Sequence, residues 1–299
     1  LGLLYERFHK FKKAIFHFKY ALKINPDYND CKFNLSLLLL KTKDYKEGFN
    51  FYISRFFKLE NTIKLTHKVN LNLNYTELKL VKKIYIIAEQ GYGDIFQFSR
   101  FGLLLKKHGV KSCLVVYDEL FQFMKKQKTF DEYVKNSDFH NEKEFSSSYP
   151  LMSLPKLFKI GVNDLMPSHQ YLFPIKNKIS QWGAKINKKK FNIGISWYAK
   201  KMSSGLERSV PYAYFDKLLN VPNVNLISLH MPEHLVKDQK ELINNRITFF
   251  ENLDIKNKFE DTAALIANLD LVITIDTSIA HLSASMKKNT WILLPYNSD

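Results

Sequence analysis

With 299 residues, 45% of them hydrophobic and 25% charged, the chain is long enough for two domains and has the composition of a globular protein rather than a disordered one. Its 45 Lys and Arg residues against 29 Asp and Glu give a formal net charge of +16, which attracts anions. The lysines are scattered and form no run of five or six like charges, so a biased surface composition accounts for the charge better than a nucleic-acid site does.

Cysteine content and hydropathy exclude further classes. Cys31 and Cys113 cannot form a metal cluster by themselves, and nothing in the sequence pairs them, so we predict a reducing, cytoplasmic environment. No apolar run reaches 18 residues, so we predict no membrane span, and peripheral membrane contact stays open. The chain starts at Leu1 without a signal-peptide pattern and stops just after an apolar strand, so we expect a fragment that is incomplete at both ends.

The first 55 residues contain an internal repeat. The letters LGLLY at residues 1–5 match the L-G-x-x-Y opening of a 34-residue tetratricopeptide repeat, Ala14 and Phe18 follow at the expected spacing, and Pro26 ends the unit. A shift of 34 residues leads to a degenerate second copy, in which the small and large positions are kept by Leu35, Ser36, Leu39, Gly48 and Tyr52. We predict tetratricopeptide-type helices that bind a partner or pack against the next domain. Two ordinary amphipathic hairpins are the alternative.

Residues 56–82, a mixed stretch rich in Lys, Asn, Leu and Thr, are interpreted as a connection. From residue 83 onward, apolar strand patterns alternate with helical patterns, which indicates parallel sheets covered by helices. The predicted strands are residues 84–88, 113–116, 191–197, 224–229, 246–250, 271–275 and 290–294, and the predicted helices are residues 95–107, 118–126, 212–219, 234–244, 262–268 and 278–286. A proline-containing stretch divides the pattern into lobes at residues 83–180 and 181–299. Ligands bind at the carboxyl ends of such strands, so we expect the site between the lobes.

The first candidate motif, EQGYGD at residues 89–94, directly follows the first predicted strand. We expect Gly91 and Gly93 to permit positive φ and a close approach of the backbone to a ligand, at the N-terminus of the following helix. The carboxylate of Asp94 could accept a proton from an attacking hydroxyl. A simple helix cap is the alternative role for Asp94. The motif lacks the third glycine of a dinucleotide fingerprint, and the chain has no phosphate-binding P-loop.

The second motif, DTSIAH at residues 276–281, follows the strand at 271–275. Asp276, Thr277 and Ser278 would form a turn that offers backbone N–H groups, two hydroxyls and the helix dipole to a pyrophosphate. His281 follows one helical turn later on the same face and could donate to a phosphate oxygen. The alternative is a capping residue with a half-buried histidine.

The third motif is Ser196 and Trp197 at a strand end, followed by a basic loop. Lys200, Lys201 or Arg208 on this loop could neutralise a diphosphate. A solvated basic loop with no ligand is the alternative.

These three motifs, in this order behind a helical repeat, resemble bacterial tetratricopeptide-repeat proteins with a glycosyltransferase domain of the heptosyltransferase family-9 kind. That domain is related more distantly to O-linked N-acetylglucosamine transferases. The resemblance is carried by residues 89–94 with Gln97, Phe98 and Arg100, by Ser196 and Trp197 with Arg208 and Ser209, and by the long run from Asp261 to Pro295. The C-terminal run is its most specific part.

The resemblance implies an α/β fold: a GT-B-like pair of Rossmann-like lobes preceded by an α-helical tetratricopeptide-repeat segment. The N-terminal lobe would face the acceptor and the C-terminal lobe would bind the nucleotide-sugar donor. It implies inverting transfer without a metal or other cofactor to a glycan, lipid-linked glycan or protein hydroxyl, with Asp94 as the base. The donor-binding residues would be Gly91, Gly93, Trp197, Lys200, Arg208, Asp276, Thr277, Ser278 and His281.

Two departures from the family pattern bear on these expectations. The loop after Trp197 reads YAKKM instead of a stretch rich in Gly, Asn and Pro, so the phosphate-binding cation stays open. The family continues past the strand at 290–294 with a further loop and a closing helix. The competing hypotheses are a non-catalytic repeat scaffold with a degenerate transferase domain and, from net charge alone, a nucleic-acid-binding protein.

Overall fold

The computed structural model describes residues 1–57, 67–140, 147–164, 169–199, 208–211, 214–230, 247–255 and 257–295. The helices are α1 (Gly2–Arg7), α2 (Phe11–Ile24), α3 (Asn29–Lys41), α4 (Tyr45–Tyr52), α5 (Tyr75–Leu78), α6 (Tyr92–Phe98), α7 (Gly102–Lys107), α8 (Asp118–Met124), α9 (Leu154–Leu157), α10 (Lys176–Gly183), α11 (Glu260–Ala267) and α12 (Ser278–Ser285). The strands are β1 (Ile84–Ile87), β2 (Ser112–Val116), β3 (Glu132–Lys135), β4 (Ser148–Pro150), β5 (Phe191–Ser196), β6 (Val224–Ser228), β7 (Leu271–Ile275) and β8 (Thr290–Leu293).

Helices α1 to α4 form the helical segment, in which each helix packs against the next. Ala14 and Phe18 on α2 are buried together with Leu35 and Leu39 on α3, at the positions predicted to fill the space between helices. A Cβ at Gly2 would lie 2.6 Å from the ring of Phe18, so α1 approaches α2 this closely only because the residue is glycine. The predicted helical hairpins are observed, and their assignment to tetratricopeptide repeats stays a prediction.

Two parallel sheets form the rest of the chain. The first has the strand order β3-β2-β1-β4 and the second β6-β5-β7-β8, and every neighbouring pair is parallel. β2 and β7 are buried along their whole length, as expected for parallel strands with helices on both faces. The predicted α/β fold with parallel sheets is confirmed.

Several predicted elements differ from those observed. The helix predicted over 95–107 is divided into α6 and α7 by a 3₁₀ turn at Ser99–Phe101. β3 and β4 were not predicted, because β3 has only two apolar residues between two charged ones, and β4 is three residues long and ends in proline. The strand predicted over 246–250 is represented by a single bridge from Thr248 to Ile227. The helix predicted over 234–244 lies outside the described residues.

The predicted boundaries at 56–82 and at 180 both contain ordered helices. α5 lies inside the predicted connection, and Leu78 at its end is buried in the core of the first lobe. α10 runs across residue 180 and packs against α11, where the indole N–H of Trp182 and the ammonium of Lys178 both donate to Asp261. α10 is therefore joined to the second lobe.

A continuous hydrophobic core joins the three parts. It contains Tyr52 of the helical segment, Ile86 of the first sheet, and Leu265 and Leu282 of the second lobe. The lobes therefore meet across a packed contact, which sets the relative position of the turns that follow β1 and β7.

Candidate functional site

The turns after β1 and β7 meet where the two lobes face each other. α6, which begins just after β1, packs against α12, which begins just after β7. A Cβ at Gly93 would lie 2.8 Å from Cδ2 of His281 and 3.4 Å from Cα of Ser278. The structure therefore brings the first and second motifs together, although nearly 200 residues separate them in the chain.

The loop before α6 is shaped differently from the prediction. The residue with positive φ is Gln90, at 60°, whereas Gly91 caps the helix at φ −86° and Gly93 lies inside it. The prediction that these glycines supply positive φ is wrong. Gly93 instead provides the close approach between lobes, because any side chain there would enter the space of His281.

Asp94 lies in the first turn of α6, where its Oδ2 accepts the backbone N–H of Gly91 at 2.9 Å. The helix-cap role that was weighed for Asp94 is therefore observed. Burial raises the pKa of the Asp94 carboxyl above its usual value, while the Gly91 N–H and His281 act in the opposite direction. A half-buried carboxylate with a raised pKa is a better proton acceptor than an exposed one.

A buried ion pair that was not predicted holds the start of this loop. Arg55, at the end of the helical segment, donates from Nε and Nη2 to the two carboxylate oxygens of Glu89, at 3.0 and 2.8 Å. Both side chains are fully buried, and Glu89 also accepts the backbone N–H of Met152 at 3.0 Å. Arg55 has a further bond of 2.8 Å to the hydroxyl of Ser153. Glu89 could have been suspected from its place after a buried strand, but nothing in the sequence pairs it with Arg55.

The donor turn, residues 276–278, lies at the N-terminus of α12. Thr277 is the N-cap residue, and the side chains of Asp276, Thr277 and Ser278 are partly exposed. The guanidinium of Arg208 donates from Nη1 to the backbone carbonyl of Asp276 at 2.7 Å. The turn therefore combines a helix N-terminus, two hydroxyls and a cation, which is a suitable set of groups for a phosphate.

His281 connects this turn with the first lobe. Its Nε2 lies 3.6 Å from Oδ1 of Asp276, and its ring contacts the backbone at Gly93. The nearby His281 lowers the pKa of Asp276 below its usual value, and the charge of Arg208 acts in the same direction.

Two predicted donor-binding residues are not placed at this turn. Trp197 is 1% exposed in the core of the second lobe, where its ring lies edge-on to His230 at 4.3 Å and its backbone N–H donates to Nε2 of that histidine at 3.0 Å. The structure places its indole in the core rather than at the turn, and its predicted role in donor binding stays a prediction. Lys200 lies outside the described residues.

An aromatic contact supports the lobes beside the site. Phe259, just before α11, packs edge-on against Tyr92 and Phe96 of α6, at centroid distances of 5.5 and 5.0 Å. Its φ of 64° is uncommon for a bulky residue and costs energy, so the interlobe contacts must hold it there.

The described part of the chain contains no group of three or more His, Cys, Asp or Glu side chains that would suit a metal ion. Within the same residues, no helix combines the length and the apolar character needed to cross a bilayer.

Comparison with known proteins gives the class. Residues 175–293, which include the second sheet, Arg208 and the donor turn, match the model of glycosyltransferase family 9 (heptosyltransferase). A solved structure of a family 9 glycosyl transferase from Veillonella parvula is similar, with a TM-score of 0.52 and 14% identity over 72% of this chain and 86% of that chain. The ADP-heptose lps heptosyltransferase II of E. coli gives a TM-score of 0.50 and 11% identity over 71% and 84%. A search of curated sequences found no significant match.

The family match and the shared fold confirm the predicted class at a coarse level. Residues 175–293 match the family 9, heptosyltransferase-like model, and the α/β fold is like that of the solved transferases, which supports the prediction of a glycosyltransferase enzyme. The tetratricopeptide assignment, the relation to O-linked N-acetylglucosamine transferases and the roles of single residues stay predictions.

Proposed function

We propose that the protein transfers a sugar from a nucleotide-sugar donor to a hydroxyl of a glycan, lipid-linked glycan or protein, with inversion and without a bound metal. The observation that carries this proposal is the contact between Gly93 and His281. It places the half-buried carboxylate of Asp94, on the first lobe, beside the helix N-terminus of the second lobe. One site thus contains a candidate base and a candidate diphosphate cradle.

The second lobe would hold the donor diphosphate. The N-terminus of α12 presents unpaired backbone N–H groups and the positive end of the helix dipole, and Thr277 and Ser278 add hydroxyl donors. Arg208, already fixed on the backbone of Asp276, would supply positive charge, and His281 would donate to a phosphate oxygen. Lys200 would add a second cation from the neighbouring loop.

The first lobe would activate the acceptor. An acceptor hydroxyl gives its proton to Asp94 while its oxygen attacks the anomeric carbon of the donor. The bond from that carbon to the diphosphate oxygen breaks on the opposite face, which inverts the configuration. The leaving diphosphate carries the electron pair, and preorganised N–H groups with Arg208 stabilise its charge.

The remaining predicted residues would act by support. The Gly91 N–H holds the Asp94 carboxylate, and Gly93 leaves room for His281. Trp197 would position the end of β5 through its contact with His230 rather than touch the donor.

The helical segment would act as a tetratricopeptide-type module that binds a protein partner in the cytoplasm. The burial of its predicted repeat positions, including Gly48 and Tyr52, supports this assignment. A non-catalytic scaffold is the second candidate function, because Asp94 makes the contact of an ordinary helix cap.

A thermal-shift screen of nucleoside diphosphates and nucleotide sugars tests the proposal, with ADP-heptose, named for the E. coli transferase, as the first donor. A ligand present at 100 times its dissociation constant adds about 2.7 kcal/mol of stability. We expect one nucleotide to stabilise the wild type and not the Thr277→Ala/His281→Ala variant, while the exposed control Thr76→Ala keeps the shift. A folded wild-type protein that responds to no nucleotide would rule out the transferase and favour the scaffold.

A further inference from the structure

A cavity of about 620 Å³ lies between the helical segment and the first lobe, lined by residues distinct from the donor turn. Its walls come from α4, from the stretch around α5 and from α9, with Asn50, Asn72 and Lys156 among the lining residues. This volume lies in the range of pockets that bind small molecules. An adjoining cavity of about 700 Å³ shares Asn74, Tyr75 and Lys159 with it, so the two form one groove.

Tyr149, on β4, lines this cavity and is fully buried. Its hydroxyl has no hydrogen-bond partner among the residues that the structure describes. A buried hydroxyl without a partner is destabilising, and such groups are uncommon in native proteins. Because Tyr149 lines the cavity, a bound molecule that reaches its buried hydroxyl would complete the hydrogen bonds.

Lys156, on α9, adds a half-buried cation to the same cavity. Within the described part of the chain, no carboxylate forms an ion pair with its ammonium. Burial and the nearby charge of Arg55 lower the pKa of Lys156, as expected for an ammonium that lacks a counter-ion. An anion in the cavity would relieve both effects.

The charges at the rim do not neutralise this cation. Of the two acidic residues that line the cavity, Asp44 accepts a backbone N–H at the start of α4, and Glu47 is paired with Lys19 at 2.7 Å. Lys46 and Lys159 add positive charge. The cavity therefore favours a negatively charged ligand.

The rim also carries amide groups that suit hydroxyls. Asn50 and Asn72 are exposed, and each amide has both donors and an acceptor, as does a sugar hydroxyl. We propose that this cavity binds a small anionic sugar, whose phosphate or carboxylate pairs with Lys156 and whose hydroxyls bond to Tyr149 and the rim amides. This site is independent of the proposed transfer reaction.

Isothermal titration calorimetry of the whole chain tests the site, with glucose 6-phosphate and glucuronate as probes. Glucose and inorganic phosphate are the controls, because each carries only the sugar or only the anion. We expect at least one anionic sugar to bind at least tenfold more tightly than glucose or phosphate. Tyr149→Phe and Lys156→Met should each weaken that binding at least fivefold. Lys189→Met, which removes an exposed charge from the second lobe, should leave it unchanged.

Tyr149→Phe separates a ligand role from a structural one. Because the hydroxyl has no partner in the free protein, we expect its removal to keep or raise the Tm while binding weakens. Failure of both anionic sugars to bind the wild type would overturn the proposal. So would equal binding by Tyr149→Phe and wild type, or phosphate binding as tight as that of the sugars.

Discussion

The helical segment and the second lobe both pack against the first lobe, but through contacts of different chemistry. The first contact contains the fully buried pair of Arg55 with Glu89, and Phe49 meets Phe98 edge-on at 6.2 Å. The second brings His281 against Gly93, and His281 and its partner Asp276 each have 28% of the side chain exposed. The fully buried ion pair of the first contact serves the fold, whereas the partly exposed polar groups of the second are available to a ligand.

Arg55→Met should have the largest effect on stability. It leaves the Glu89 carboxylate buried without its partner, which costs about 3–5 kcal/mol. Urea unfolding measures the loss. Lys19→Met, which breaks the partly exposed pair with Glu47, should cost less than about 1 kcal/mol. If the two variants lose equal stability, Arg55 and Glu89 do not form the fully buried ion pair that holds the helical segment.

The double variant Arg55→Met/Glu89→Leu provides the internal check. Replacing both charges removes the unpaired carboxylate, so we expect much of the lost stability to return. No recovery would mean that the loss in Arg55→Met comes from its packing rather than from the ion pair.

Gly93→Ala should have the next largest effect, because the new methyl group lies 2.8 Å from the ring of His281. The expected cost is about 1–3 kcal/mol in unfolding free energy, with weaker nucleotide binding as His281 is displaced. Gly161→Ala is the control, because its Cβ would meet only Asp164 Oδ2, at 3.3 Å. A Gly93→Ala protein that resembles this control would contradict the close interlobe contact.

Asp276→Asn should have the smallest effect, confined to acid pH. The folded-state pKa of Asp276 lies below its usual 3.8, so its contribution to stability is complete above that value and is lost as the pH falls through the folded pKa. Thermal unfolding at pH 7 and pH 3 should show a smaller acid loss in the variant, by less than about 1 kcal/mol. Equal acid losses in the two proteins would remove the assigned role of His281.

The sequence alone predicted the parts of the fold that local patterns determine. Apolar runs predicted the central strands of both sheets. The rule that ligands bind at strand ends predicted that residues 89–94 and 276–281 lie at the site between the lobes. The short strand β4 was not predicted, because three residues are too few to show a periodic pattern. The split between α6 and α7 was also not predicted; at the start of α7, an added Cβ on Gly102 would meet the carbonyl of Thr129 at 2.5 Å, a contact that exists only in the folded chain.

Site residues could be proposed from the sequence where neighbours form one turn, as with Thr277 and Ser278, whose phosphate-binding role stays a prediction. They were missed or misplaced where long-range packing decides. Arg55 and Glu89 are 34 residues apart and meet only after the helical segment docks. Trp197 follows a strand in sequence, as a ligand-binding residue would, yet His230 and the surrounding core bury it.

The most direct test compares turnover by Asp94→Asn and Asp164→Asn, with the donor that the nucleotide screen identifies. The two carboxylates make the same 2.9 Å bond to a glycine N–H three residues earlier, but only Asp94 lies beside the donor turn. We predict that Asp94→Asn lowers kcat by about 10²–10⁴-fold with nucleotide affinity unchanged, and that Asp164→Asn leaves both intact. In the wild type, kcat should fall with acid at a pH above the usual 3.8 of an aspartate. Equal turnover by the two variants would contradict a catalytic base at Asp94.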